Sequence, residues 1–263
     1  MSSAFGYLTK LGLFKKDIAN KIYHTLTPKF LLRYAPGHMR NVDGGRLSYN
    51  NLFNINKVKK LDVVESGLSS SIGFEYKKNR LESNDEIGDQ IFSFSVGQVV
   101  SSEENNDMPS STSLDQKFSD VVGETKYNIN DKVDLSYNFS LDQSYKEFNY
   151  NEISSSINFN KTKFNIGYLQ EKNHIGSQEF VETGMGVKMN NSSELNFTTK
   201  RNLLTNSAEF YNLSYNYIND CLKAGIAYRR EFYTDRDIEP DNKLMFTISF
   251  VPFGQVNSAG LLK

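Results

Sequence analysis

Hydrophobic and polar residues alternate with a period of two along most of this chain, most plainly between 206 and 253. Tyr211, Leu213, Tyr215 and Tyr217 interleave with Asn212, Ser214 and Asn216. Past a polar turn at Asn219 and Asp220, Leu222, Ala224, Ile226 and Tyr228 interleave with Lys223, Gly225, Ala227 and Arg229. Leu244, Phe246, Ile248 and Phe250 then interleave with Met245, Thr247 and Ser249. Successive side chains on a strand point to opposite faces, so each run has one apolar and one polar face. Each run is also about ten residues long, enough for a tilted strand to cross a bilayer.

The same period recurs upstream. Strands are expected over 27–36, 67–77, 90–100, 118–129, 132–141, 148–159, 162–169, 178–189 and 194–200. With the last three, that makes about twelve. The cleanest sets Val133, Leu135, Tyr137, Phe139 and Leu141 against Asp134, Ser136, Asn138 and Ser140. Alternation fails over 37–66 and again over the polar stretch 101–116, so both are expected as long loops. Loop 37–66 is expected to fold inward or to cap one mouth. Residues 1–26 show strand character over 3–14 and helical spacing over 15–23. They are expected as a connector or incomplete strand region, and 255–263 as a tail.

Turns sharpen the picture. Short polar turns at Asn130-Asp131, Asn160-Lys161, Asn191-Ser192 and Asn219-Asp220 alternate with longer connections. Short turns at one end and long loops at the other is the layout of an outer-membrane barrel, the short turns facing the periplasm. The expected fold is therefore all-β: an antiparallel transmembrane β-barrel, partial, with polar interior and apolar exterior. A soluble β-sandwich or jelly roll shares the alternation and stays open as an alternative. A propeller would need a motif repeated in each blade, and none is seen.

Composition agrees. Aromatics reach 13 %, with 19 Phe and 15 Tyr, although the hydrophobic share is only 38 %. That suits aromatic girdles around a polar lumen. No window approaches the roughly eighteen apolar residues of a membrane helix. A net charge of -1 argues against a nucleic-acid partner. No signal peptide is visible at the first residues. Because such a barrel must be exported, the chain is expected to be the C-terminal part of a longer one.

Catalytic chemistry finds no support. His24, His38 and His174 are far apart and lack ligand spacing. No nucleophile elbow, zinc-protease helix, phosphate loop or paired-cysteine motif occurs. Asp235, Asp237, Glu239 and Asp241 alternate in one loop but lack the glycine and terminal glutamate of a calcium loop, so a solvated loop is expected. No cofactor, metal or catalytic residue is assigned. The single Cys221 reads from spacing as a free, partly buried strand thiol.

Several stretches carry a family resemblance: TLTPKFLLRYAPGHMRN (25–41), YNNLFNINK (49–57), VVESGLSSSIGFEYK (63–77), SDVVG (119–123) and, above all, 201–254. Together they resemble the C-terminal barrel region of the LPS-assembly outer-membrane protein family (LptD), over about 25–254. The resemblance implies a protein of the Gram-negative outer membrane that inserts lipopolysaccharide into the outer leaflet through a laterally opening barrel. It implies a plug lipoprotein in the barrel, periplasmic bridge proteins reached through an N-terminal jelly-roll, and the barrel-assembly machinery as partners. It also implies that Cys221 pairs with a cysteine of the periplasmic domain. Many relatives carry two adjacent cysteines here, whereas Leu222 follows Cys221 in this chain.

The strand 243–253 then becomes one side of the lateral gate, with Leu244, Phe246, Ile248 and Phe250 on its apolar face. Asp134, Ser136, Asn138, Asn212, Ser214, Asn216 and Lys223 are expected to face the lumen. A small-solute porin or adhesin barrel is the alternative reading.

Overall fold

A computed structural model describes residues 4–42, 44–58, 63–82, 86–129, 132–172, 177–232 and 241–250, with the backbone of 254–257. The expected turn at Asn130-Asp131, and Asp235, Asp237, Glu239 and His174, lie outside the described residues.

Fifteen strands follow one another: β1 (Phe5–Lys10), β2 (Leu13–Asp17), β3 (Ile22–Ala35), β4 (Gly67–Leu81), β5 (Ile87–Ser101), β6 (Val121–Ile129), β7 (Val133–Leu141), β8 (Phe148–Phe159), β9 (Thr162–Glu171), β10 (Gln178–Lys188), β11 (Ser193–Asn202), β12 (Ser207–Ile218), β13 (Leu222–Glu231), β14 (Asn242–Phe250) and β15 (Gly254–Asn257). They form one sheet in chain order, except that β1 and β2 both pair with β3. Such a meander needs only local connections, and these alternate between short turns and longer loops. It is the all-β antiparallel meander expected of a partial barrel wall.

Two expectations are corrected. The segment 15–23 forms no helix: β2 pairs residue by residue with β3, from Leu13↔Leu26 to Asp17↔Ile22, through a short turn. Cross-strand pairing of Lys15 with His24 and Lys16 with Tyr23 overrides the local helical spacing. β1 and β2 together act as one edge strand, interrupted at Leu11 and Gly12. The cause is Pro28 on β3, whose carbonyl accepts from Leu11 N at 3.2 Å. In an antiparallel strand a residue's N–H and C=O point the same way, so the donor that Pro28 lacks is missing from this ladder. The second correction concerns β14, which is not the last strand. β15 pairs with its lower half, from Thr247↔Asn257 to Phe250↔Gly254.

The faces are reversed relative to a water-soluble sheet. On β3, Phe30, Leu32 and Tyr34 are 37 %, 44 % and 51 % exposed, whereas Leu31, Arg33 and Ala35 are 2 %, 1 % and 2 % exposed. The outward apolar set on β3 runs from Leu26 to Tyr34, about 26 Å at strand rise, which matches the height of a membrane band.

The chain divides into two compact units. The first comprises Met1–Asn130, Leu135–Ile153 and Gln170–Ser177; the second comprises Asp131–Asp134, Ser154–Leu169 and Gln178–Lys263. The buried hydrophobic cluster lies in the first. Val42, Leu47, Tyr49, Leu52, Val58 and Val63 from loop 36–66 pack with Met108 and Leu114 from loop 102–120 and with Val99 and Val122 of β5 and β6. Loop 36–66 therefore folds inward. The two loops are tied together: Leu47 N donates to Thr112 Oγ1 at 3.0 Å, Ser111 Oγ to the Gly45 carbonyl at 2.8 Å, and Val42 N to the Asp107 carbonyl at 2.9 Å.

Candidate functional site

The inner face of β3–β6 is built to receive a loop. Cross-strand partners Gly73 and Gly97 sit side by side there. A Cβ on Gly97 would run into Leu52 Cδ2 and the Ile72 carbonyl, and one on Gly73 would come within 3.1 Å of Phe53 Cζ. The two glycines form a notch that seats Leu52 and Phe53. The loop holds its own shape through Asn51. Its Oδ1 accepts from Ser48 N at 2.7 Å, and its Nδ2 donates to the Arg46 and Lys57 carbonyls at 2.9 and 3.0 Å.

A charged staple fixes the loop to β3. Arg33 donates to the carbonyls of Ile55 and Glu65. The Glu65 carboxylate accepts from the backbone N–H groups of Lys57 and Val58 and lies 3.7 Å from Lys57 Nζ. All three side chains are essentially buried, at 1 %, 2 % and 3 % exposure for Arg33, Lys57 and Glu65. Burial pushes the Lys57 ammonium below its ordinary value and the Arg33 charge pushes the same way, while Glu65 opposes both. Farther along the loop, Arg46 pairs with Glu171 at 3.0 Å and stacks 3.5 Å over the Tyr150 ring. Loop 102–120 is fixed by Asp120, fully buried, which accepts from Ser113 Oγ, Ser140 Oγ and Asn149 Nδ2 at 2.7–2.8 Å. Burial raises its carboxyl above the ordinary value although these three donors pull it down.

The residues singled out from sequence fall as follows. On β7, Asp134, Ser136 and Asn138 share the polar face, and Asn138 Nδ2 donates to Glu152 Oε2 at 2.9 Å. On β12, Asn212, Ser214 and Asn216 lie opposite Arg229, Ala227 and Gly225 of β13. Lys223 lies opposite Ile218 and Ser249 on that same face. These two sets are separated in strand order by β8 to β11. Leu244, Phe246, Ile248 and Phe250 share the other face with Tyr228, Ile226, Ala224 and Leu222. Phe246, Ile248 and Phe250 are exposed.

Cys221 is neither in a strand nor partly buried, as spacing suggested. It is exposed in the β12–β13 turn, where Asn219 Oδ1 accepts from Cys221 N at 3.0 Å and Leu222 N at 2.7 Å. The Asn219 side chain takes the role of a backbone acceptor and closes the turn, lifting Cys221 out of the pleat.

Sequence reasoning missed the staple and the charged rows below the glycine notch. Glu75 pairs with both Lys29 and Lys77, at 3.0 and 2.8 Å, and Glu124 with Lys126 at 2.6 Å. The available signal was a repeated Glu-x-Lys on the polar face of β4 and β6, the two strands that flank β5, at 75/77 and 124/126.

Comparison with known proteins bears on this wall. The family described as LPS transport system D matches residues 12–193, well over half of the 263 residues. That match ends before Cys221 and β14. No curated protein sequence matches the chain. Among solved structures, two engineered variants of the Rh. blastica porin are each 11 % identical, covering 100 % of this chain and 96 % of theirs, with TM-scores of 0.41 and 0.43. A triple mutant of the Rhodopseudomonas blastica porin is 10 % identical over 98 % of this chain and 97 % of its own, at a TM-score of 0.35. A two-faced strand meander with its loops folded onto the polar face, matched by that family over 12–193, belongs to the LPS transport system D (LptD) family of the Gram-negative outer membrane, whose substrate is lipopolysaccharide.

Proposed function

We propose that this chain forms part of the wall of a barrel that inserts lipopolysaccharide into the outer leaflet, the lipid leaving sideways beside β14. The family match over 12–193 carries this reading. The work is transport, not bond chemistry: an apolar face holds the wall in the membrane, and a polar face offers the sugar portion a hydrated route. Barrel function is assigned to 27–254 together with β1, β2 and β15.

β14 suits a gate because its ladder is only half occupied. β15 covers Thr247 to Phe250, and no pairing to β15 reaches Asn242 to Phe246 among the described residues. A half-zipped strand separates from a neighbour at lower cost than a fully paired one. Asp134, Ser136, Asn138, Asn212, Ser214, Asn216 and Lys223 are assigned to the lumen, where a plug lipoprotein would meet them. Short turns would face the periplasm, where the exposed Cys221 is open to a disulfide with another domain. Periplasmic bridge proteins and the barrel-assembly machinery complete the partner set.

Photo-crosslinking groups placed at Phe246 and Ile248, with Leu135 on β7 as control, should capture lipopolysaccharide in cells at β14 and not at β7. Equal capture at both, or none at β14, removes the gate. Steady ion conductance of the assembled protein in planar bilayers would favour a small-solute channel instead.

A further inference from the structure

We propose that the inner face of β3–β6 beneath loop 36–66 is a binding site for a sugar that carries an anionic oxygen group, phosphate or carboxylate. The inference rests on the transport reading and gives it a specific point of contact.

The site is a cavity of about 310 Å³, at the small end of ligand pockets and suited to one sugar ring. Strand register explains why it exists. Two rows cross the inner face below the glycine notch: Glu75, Ser95 and Glu124 in one, Lys77, Ser93 and Lys126 in the next. To both rows the central strand contributes a serine, so a trough runs between charged walls. Tyr49, Asn50 and Phe53 of the loop roof it, held at that height by the seating of Leu52 and Phe53 in the notch.

Its charge selects the ligand. Four lysines line it (Lys10, Lys29, Lys77 and Lys126) against two glutamates. Both carboxylates are already engaged: Glu75 takes Lys29 on one oxygen and Lys77 on the other, and Glu124 takes Lys126. Each ammonium has three donors, so donors remain after those pairs are made. Lys10 and Lys29 are also direct cross-strand partners, a like-charge juxtaposition that an anion between them would relieve.

A second, independent feature points the same way. The Tyr49 hydroxyl lines this cavity, its residue is 8 % exposed, and it faces Lys29 and Ser95 without a hydrogen bond of good geometry to either. A buried hydroxyl without a partner is costly, and a sugar hydroxyl or anionic oxygen in the trough would satisfy it. Ser93, Ser95 and Asn50 supply further hydroxyl and amide partners, which a bare inorganic anion would not use.

The test is titration of the full chain in detergent micelles, by calorimetry or saturation-transfer NMR, with glucose 6-phosphate, glucuronate, glucose and inorganic phosphate. The expected result is binding of at least one anionic sugar, with glucose and inorganic phosphate each weaker by about tenfold or more. Preference between the two anionic sugars tells phosphate from carboxylate. Substituting Lys10→Gln and Lys126→Gln together should lower the affinity by a similar factor. Both side chains are well exposed, so the wall should still fold. Glucose binding as tightly as the anionic sugars, inorganic phosphate binding as tightly as glucose 6-phosphate, or affinity unmoved in the double variant would each overturn the site. Lipopolysaccharide capture at β14 without sugar binding here would sink this site and leave the transport reading standing. Sugar binding without capture at β14 would do the reverse.

Discussion

Unit 1 and unit 2 use the same strand meander with opposite treatment of the inner face. In unit 1, β3 to β5 run 14 or 15 residues and carry two long loops folded back onto them. Nearly all the fully buried apolar side chains of the described residues belong to those loops or lie beneath them. In unit 2, β10 to β14 run 9 to 12 residues, and Asn, Ser, Thr and charged residues fill the inner face without a loop cluster of that kind. A barrel wall cannot bury its apolar face against itself, because that face is given to lipid. Where unit 1 has a core, loops supply it; unit 2 depends on its ladders and on the bilayer.

The sharpest way to break this contrast is Glu65→Ala. It leaves Arg33 and Lys57 buried without their anion, which typically costs about 3–5 kcal/mol. Urea unfolding of the lipid-refolded chain, together with protease cleavage within loop 36–66, should show early release of that loop. Unchanged protection would mean that the staple does not hold it.

Unit 2 should be insensitive to such changes and respond to lipid-facing ones. Ile226→Arg, mid-strand on β13 between Tyr215 and Phe246, should cost about 2–4 kcal/mol. Ser214→Arg on the opposite face should stay within about 0.5 kcal/mol. Equal losses in the same liposome-refolding measurement would reverse the face assignment.

Gly97→Val fills the notch under Leu52 and should cost about 1–3 kcal/mol by overpacking. The companion Gly225→Val in unit 2 displaces the Asn216 amide, whose oxygen lies 2.9 Å from the new Cβ. A movable side chain makes that the milder change, and comparing urea midpoints decides between them.

The smallest effect is one of pH. Asp120 has a raised carboxyl pKa in the folded state, chiefly from burial. Its contribution is complete below the ordinary carboxylate value of 3.8 and is lost as pH rises through the folded value. Asp142 runs the other way: its bond from Ser144 lowers its pKa, so its contribution is present above 3.8 and fades as acid protonates it. Asp120→Asn should flatten the first trend. A pH profile of loop proteolysis with the same slope in both proteins would refute it.

Strands with one apolar and one polar face were legible throughout. The expected 148–159 coincides with β8, and 132–141 differs from β7 by one residue. β1 falls within the expected strand character over 3–14, but β2 was not legible, because apolar and charged residues mix on both of its faces, Leu13 with Lys15 and Asp17, Phe14 with Lys16. Gly6, opposite Arg33, lies against Ile55 of the loop, and Leu8 lies opposite Leu31, so the inner face of β1 lacks the usual polar stripe. The loop itself was recognisable as a break in alternation, but its core was not. Val42, Leu47, Leu52, Val58 and Val63 follow no period, since they are gathered by turns at Asn51 and the glycines. Nor was the staple visible, for Arg33 and Glu65 meet only after the chain has doubled back. Cys221 was placed correctly beside the Asn219-Asp220 turn but given the wrong surroundings, because the Asn219 side chain extends that turn through Cys221 to Leu222.

The missing donor at Pro28 has a kinetic consequence. An edge strand paired along its whole length opens as one unit, so its amides exchange with solvent together. Here the ladder is cut opposite Leu11 and Gly12, and the two pieces can detach separately. Deuterium uptake should therefore show two exchange classes along 5–17, with the boundary at that proline rather than at the end of the strand.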